Sequence, residues 1–177
     1  PVLTLLPNDV SIICSDALVN PPAVGATDNC DADVDVTLGV DTIDAAQGDC
    51  SQFSYTIRRT WTATDNCGRT NVHTQLVTVT DVEKPIFLGM PDTLTVNSAD
   101  YPANQNCTAP VTFDISQFLT DCEPDSLLTV TNNAPHGDGG FDAGGNYLIG
   151  NYLVAFSATD ACGNVGTDSI LFIVQDN

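Results

Sequence analysis

The stretch that most constrains this chain is Ser54 to Asp81, SYTIRRTWTATDNCGRTNVHTQLVTVTD, where two runs of β-branched and aromatic residues flank an Asp-Asn-Cys-Gly-Arg corner. Such residues suit a half-buried pleated surface, and Asp, Asn and Gly suit the tight reversal between strands. The stretch therefore predicts a β-hairpin with an Asp and a Cys at its tip. The pattern occurs twice: Asn151 to Asp176 repeats the A-T-D-x-C-G core, with Asp160 standing 95 residues after Asp65. A repeat at fixed period implies an array of similar units. It divides the 177 residues into two modules, 1–84 and 85–177. A module of that size buries only about 60–65% of its unfolded surface, so cross-links or bound ions add needed stability.

Charge narrows the function classes. The chain carries 23 acids against four bases, for a net charge of −19. All acids except Glu83 and Glu123 are Asp, and Arg58, Arg59, Arg69 and Lys84 all fall in the first module. Such a chain repels phosphate backbones and anionic membrane surfaces, which excludes nucleic-acid binding. Asp suits turns and is a short, hard oxygen ligand for Ca²⁺. Seven cysteines in Asp- and Thr-rich β sequence point to an oxidising compartment, and no C-x-x-C pair or His cluster points to zinc. No signal peptide or apolar run of membrane length is visible, so direct membrane insertion is not expected. The opening Pro1-Val2-Leu3 is in mid-pattern, like Pro85-Ile86-Phe87, which reads as a piece of a longer secreted protein.

Along the chain, Asp9 to Cys14 and Thr93 to Val96 read as matching first strands. Asp28-Asn29-Cys30-Asp31 is a second Asp-Asn-Cys corner, and Val34, Val36 and Leu38 alternate with Asp33, Asp35 and Thr37 as in a strand with one wet face. The DADVD run lacks the Gly and Glu of an EF-hand loop, which rejects that motif. Val111 to Ile115 and Leu127 to Thr131 predict strands around Asp121-Cys122-Glu123, and the Gly-rich 132–146 predicts a long loop. Residues 81–85 are too short for a floppy tether, so the modules are expected to stack as a stiff rod. Short strands, regular turns and no helix of useful length favour two tandem immunoglobulin-like antiparallel β-sandwiches.

These residues carry a family resemblance. A-T-D-N-C leading into a strand, then R-T-W-T-A-T-D-N-C-G, then V-T-V-T-D-x-x-x-P, resembles the hyalin-repeat-like Ig-fold modules arrayed in large surface adhesins of Bacteroidota, including the gliding-motility type. The match covers most of residues 9–85, then 85–97 and 147–176, with a divergent centre in the second module. The resemblance implies a non-catalytic spacer or adhesive module at the cell surface. Its implied partners are neighbouring repeats of the same chain and a surface polysaccharide or protein.

In a sandwich of this type the second-to-third strand corner and the last hairpin corner share an end. That brings Cys30 beside Cys67 and Asp28 beside Asp65, with Cys14 and Cys50 at the opposite end. Four cysteines allow three pairings, and this topology favours Cys30–Cys67 and Cys14–Cys50, with Cys122–Cys162 by the same logic and Cys107 left over. Asp28, Asp31, Asp33 and Asp65 are candidate Ca²⁺ ligands in the first module, and Asp121, Glu123, Asp125 and Asp160 in the second. Asp81 and Glu83 are expected to approach the second set. Asp138 and Asp142 are optional ligands in the Gly-rich loop.

Arg59 shares strand parity with Ile57 and Trp61, so its stem should pack inward while its head reaches a carboxylate. Against an enzyme, only His73 and His136 are present, and no nucleophile elbow or metal-ligand spacing is visible. The alternative is a glycan-binding module appended to a secreted hydrolase. It would need an exposed aromatic platform, for which Tyr101, Phe141 and Tyr147 are the candidates.

Overall fold

A computed structural model describes residues 1–98 and 107–176, and the chain divides into two compact units, Pro1–Val82 and Glu83–Asn177. Both are all-β, and among the described residues helical structure is limited to short 3-10 turns such as Gly48–Gln52 and Asp125–Leu127. Each unit is a β-sandwich in which a four-stranded sheet faces a second layer of shorter strands.

In the first unit the strands are β1 (Val2–Thr4), β2 (Val10–Ile13), β3 (Gly25–Thr27), β4 (Asp35–Ile43), β5 (Tyr55–Thr64) and β6 (Thr70–Thr80). The main sheet runs β2-β6-β5-β4 and the small one β1-β3. The predicted hairpin is β5–β6, paired from Tyr55↔Val79 to Thr64↔Thr70. The pairing is antiparallel throughout except for β2, which lies parallel to β6. Alternation along β5 buries Ile57, Arg59, Trp61 and Ala63 on one face. Leu3 from the second layer packs with Trp61 and Ala63, backed by Val24, Ala26, Val34 and Val36.

The second unit repeats this plan. Its strands are β7 (Ile86–Phe87), β8 (Thr93–Asn97), β9 (Thr108–Val111), β10 (Leu119–Thr120), β11 (Thr129–Asn132), β12 (Gly145–Leu148), β13 (Gly150–Thr159) and β14 (Val165–Gln175). The main sheet runs β11-β13-β14-β8, again with one parallel pair, β8 with β14. β7 pairs β10 as β1 pairs β3. The addition is β9–β12, a strand pair that the first unit lacks. It supplies Ala109, Val111 and Tyr147 to a core shared with Phe113, Phe156, Ile170 and Phe172.

That addition explains the odd Arg59. With the 95-residue offset, Arg59 corresponds to Val154 and Gln75 to Ile170, and all four are buried. In the second unit β9–β12 covers this ground with apolar side chains. In the first unit irregular chain covers it, and the backbone carbonyls of that chain need donors. Arg59 supplies them, donating through Nη2 to the Val19 carbonyl and through Nη1 to Gln75 Oε1 at 3.3 Å. Gln75 Nε2 donates in turn to the Asn8 carbonyl at 2.6 Å. The inward stem was expected; the carboxylate partner was not found, because carbonyls of the covering chain take its place. The carboxylate partner belongs to Arg58, which pairs with Asp41 on the outer face.

The Gly-rich segment 132–146 is pinned rather than loose. Asp138 Oδ1 accepts the N–H groups of Gly140 and Asp142 at 2.7 and 3.2 Å, and Asn132 Nδ2 donates to the Gly140 carbonyl at 2.8 Å. Ala143, within it, is fully buried. Leu127 to Thr131 begins as a 3-10 turn, so its strand starts only at Thr129.

Two stability predictions follow from packing. Arg59→Ala removes a buried stem and leaves buried Gln75 without its Arg59 donor, and should cost about 2–4 kcal/mol in urea unfolding. A Cβ at Gly166 would lie 1.8 Å from the Pro85 carbonyl oxygen. Gly166→Ala should therefore destabilise the second unit by roughly 1–3 kcal/mol, read as a lowered melting temperature.

Candidate functional site

The repeated A-T-D-x-C-G core builds the same turn in both units. Asp65 Oδ1 accepts the N–H groups of Cys67 and Arg69 at 2.9 and 2.8 Å, while the Asp65 carbonyl accepts from Gly68 at 2.9 Å. In the copy, Asp160 Oδ1 accepts from the Asn164 N–H at 2.8 Å, Oδ2 accepts from Asn164 Nδ2 at 2.8 Å, and the Asp160 carbonyl accepts from Gly163. Gly68 and Gly163 have φ of 79° and 90°, the left-handed region that a side chain resists. The motif is thus a hairpin turn in which a carboxylate satisfies loop N–H groups and Gly takes the reversal.

In the first unit the two Asp-Asn-Cys corners meet. Asp28, Asn29, Cys30, Asp31, Asp65, Asn66, Cys67 and Arg69 line a cavity of about 310 Å³. The residues expected to share an end, Asp28 with Asp65 and Cys30 with Cys67, all line this cavity. The bond between corners, however, is not the expected disulfide. Cys30 and Cys67 are free and exposed, and the corners are joined instead by Asp31, whose Oδ2 and Oδ1 accept from Asn66 N–H and Nδ2 at 2.7 and 2.9 Å. Asn66 is a site residue that sequence reasoning missed; its place beside Asp65 in the repeated turn was the available signal.

The carboxylates of this corner are already engaged. Asp28 Oδ1 accepts from Cys30 and Asp31 N–H, and Asp31 Oδ1 also accepts from Asp33 N–H. The Cys30 N–H, above all, holds the Asp28 carboxyl below the usual aspartate range. Backbone dipoles thus do part of what a cation would do for these charges. The corner is a weak fit for Ca²⁺, whose 6–8 oxygens must be free to turn towards it.

The second unit presents a different acid set. Glu123 and Asp160 are buried at 4% and 6% exposure. Glu123 Oε2 accepts from the Ala161 N–H at 2.9 Å, which places it beside the Asp160 turn. Asp121 Oδ1 accepts from the Cys122 N–H at 2.6 Å. Both Asp160 oxygens are taken up by Asn164, so of these carboxylates Glu123 and Asp121 keep an oxygen that could turn towards a hard cation. Asp125 begins the exposed 3-10 turn. In the first unit Asp81 is buried at 6% exposure, and its N–H donates to Ser54 Oγ at 2.8 Å. Glu83 opens the second unit. Asp138 and Asp142 are spent on the Gly-rich loop, where Asp142 Oδ1 accepts from Gly144 N–H.

Cys14, Cys50, Cys122 and Cys162 are disulfide-bonded. Cys14 N–H donates to the Thr80 carbonyl, and Ser54, which accepts from Asp81, donates its own N–H to the Cys50 carbonyl. Cys14 and Cys50 therefore lie on one neighbourhood of the first unit. Cys107 is free and exposed.

Both histidines serve packing. His73 Nε2 is 2.8 Å from the Pro7 carbonyl and its ring lies against Trp61, while His136 meets the edge of Tyr147. The aromatic platform fails for two of its candidates. Tyr147 is fully buried with its hydroxyl donating to the Ala143 carbonyl, and Phe141 packs against the core. Tyr101 lies outside the described residues.

Residues 4–79 match the family model of the HYR-like domain with 4 cysteines. Over those residues the first unit is similar to that family. Its four cysteines, Cys14, Cys30, Cys50 and Cys67, all fall within the matched residues. No curated protein matches the sequence. Among solved structures, human mucin-like protocadherin EC1-2 is similar at 12% identity and a TM-score of 0.41, covering 99% of both chains. The extracellular cadherin domains 1–4 of protocadherin gamma B7 are similar at 15% identity and a TM-score of 0.40, covering 96% of this chain. The chain spans 49% of that structure's length. Drosophila N-cadherin EC1-4 is similar at 13% identity and a TM-score of 0.38, covering 94% of this chain and 47% of that one.

Two predictions concern the corners. Asp65→Ala should destabilise the first unit by about 1–3 kcal/mol in denaturant unfolding, while Asp65→Asn, which keeps an acceptor oxygen, should cost distinctly less. Because the folded pKa of Asp28 is depressed, its contribution is present above the unfolded aspartate value near ~3.9 and is lost as pH falls through the lower folded value. Acid titration of Asp28→Asn should show less stability lost across that window than wild type.

Proposed function

We propose that the two units are non-catalytic repeat modules of a large secreted cell-surface adhesin, acting as stiff, disulfide-stapled spacer or contact units. The observation that carries this reading is the HYR-like match over residues 4–79, together with the same turn and sheet plan repeated in the second unit. An all-β fold, an acidic surface and disulfide-bonded cysteines suit an extracellular setting. The proposed pairings are Cys14–Cys50 and Cys122–Cys162, each within one unit. The proposed partners are neighbouring repeats of the same chain and a surface protein or polysaccharide, and the Bacteroidota gliding-motility adhesins are the proposed parent class.

A structural Ca²⁺ is part of the proposal, and the buried Glu123 and Asp160, with Asp121 and Glu83, are its candidate ligands in the second unit. Asp28, Asp31 and Asp65 in the first unit and Asp81 at its end are the weaker candidates. Burial penalises the charged form of Glu123 and Asp160, and a bound cation offsets that penalty. A bound ion would stabilise the fold by mass action, by about 2.7 kcal/mol at a calcium concentration 100 times Kd.

The expected result is a melting temperature several degrees higher in millimolar calcium than in chelator, with calorimetric binding weakened in Glu123→Gln. Equal melting temperatures and no binding heat would remove the ion from the proposal. The adhesin reading is tested separately: peptide mapping without reduction should join Cys14 to Cys50 and Cys122 to Cys162, and neighbouring sequence in the parent gene should encode further copies of the A-T-D-x-C-G hairpin.

A further inference from the structure

The first unit has one long strand that nothing covers. β4, Asp35–Ile43, is the outer strand of its sheet, and none of its nine residues is buried. Its length, roughly 30 Å at ~3.3 Å per residue, makes a row of backbone N–H and C=O groups available for pairing. It contains no proline or lysine, two common defences of an open edge.

The apolar residues on this edge point the unusual way. Leu38 is in register with Trp61 and Val40 with Arg59, so both stand on the inward face of the sandwich. Yet Leu38 is 42% exposed and Val40 56% exposed. Arg59 binds the Val19 carbonyl, which brings Leu18 and Val19 to the same face, and these too are about half exposed. Inward-facing Leu38 and Val40 are thus exposed apolar side chains beside an outer strand, and Leu18 and Val19 are exposed apolar residues on the chain that Arg59 holds.

The second unit shows what is missing. There Ala134, two residues after the end of the outer strand β11, packs against the core that β9–β12 helps to build. The first unit has no segment equivalent to β9–β12.

We propose that β4 is a docking edge for an extended polypeptide strand from a partner, apolar at its centre and basic at both ends. Strand addition supplies backbone hydrogen bonds for affinity and side-chain positions for selectivity. The apolar centre is set by Leu38, Val40, Leu18 and Val19. The basic ends are set by charge. Asp33 and Asp35 lie exposed at one end of β4 and Asp44 at the other, where Asp41 is already paired with Arg58, so aspartates still outnumber bases at both ends. A second copy of this chain is disfavoured as occupant, because its own β4 would set aspartates beside aspartates between molecules of net charge −19. The inference stands on β4 alone and does not depend on calcium or on the adhesin reading.

The test uses the full chain and the capped peptide Lys-Lys-Val-Thr-Val-Thr-Val-Lys-Lys. Binding is followed by calorimetry, and amide hydrogen exchange is measured across residues 35–43. Saturating peptide should slow exchange of alternate β4 amides at least ten-fold. N-methylation of one alternate set of peptide amides should abolish binding while the other set is tolerated. Val40→Lys, at an exposed position, should weaken binding at least ten-fold. Val72→Lys, equally exposed but on the outer face, should leave it within two-fold. Raising salt from 50 to 300 mM should also weaken it several-fold. The proposal is overturned if Val40→Lys has no effect, if a peptide with Glu in place of Lys binds as well, or if exchange in β4 is unchanged. Concentration-dependent self-association that protects β4 without peptide would give the edge to a second copy and overturn it equally.

Discussion

The carboxylate at the turn, Asp65 in one unit and Asp160 in the other, fixes the register on which everything else depends. By holding the loop N–H groups it closes the central hairpin at one length, and the strands that leave it can pair only from Thr64↔Thr70 and Thr159↔Val165. A slip of one residue would turn every side chain to the opposite face. Trp61 and Phe156 are core residues because that turn admits no slip. The cost of the left-handed conformation falls on Gly68 and Gly163, where it is smallest.

Once the hairpin is set, its inward face must be covered, and the two units do this by different means. The second uses an inserted pair of strands and a core rich in aromatic rings, with Phe113 against Phe172 and Tyr147 against Tyr152 and Phe172. The first covers the equivalent ground with irregular chain, whose carbonyls take part-buried hydrogen bonds from the hairpin. Arg59, Gln75 and His73 reach the carbonyls of Val19, Asn8 and Pro7, so polar side chains on the hairpin do the work of a missing strand layer. Burying a guanidinium costs several kcal/mol, and it is tolerated here because leaving those carbonyls without donors would also cost. The same economy of covering chain leaves β4 open.

The aspartates divide by what their oxygens do. Most of those singled out by motif cap turns: Asp28, Asp31, Asp65, Asp138 and Asp142 accept backbone N–H groups a few residues away or across a corner. Their abundance reflects the number of turns in a short-stranded fold. Asp160 caps its turn in the same way but is buried, as are Glu123 and Asp81. An acid-rich sequence alone gives no means of separating the two groups, since both carry the same charge and fall at similar corners.

The repeat, the hairpin and the inward parity of Ile57, Arg59 and Trp61 were legible from residues alone, because alternation with period two and the Asp-Gly turn chemistry are local. The all-β class and the meeting of Asp28 with Asp65 followed from them. What tertiary structure alone decided was every choice made between segments distant in sequence. Asp31 took Asn66, Arg59 took the Val19 carbonyl in place of a carboxylate, and Tyr147 went into the core rather than onto a platform. The Gly-rich 132–146 became a pinned turn through Asp138 and Asn132. Each outcome depends on which polar group is left in the dry interior after the chain has folded over it, and local pattern carries no information about that.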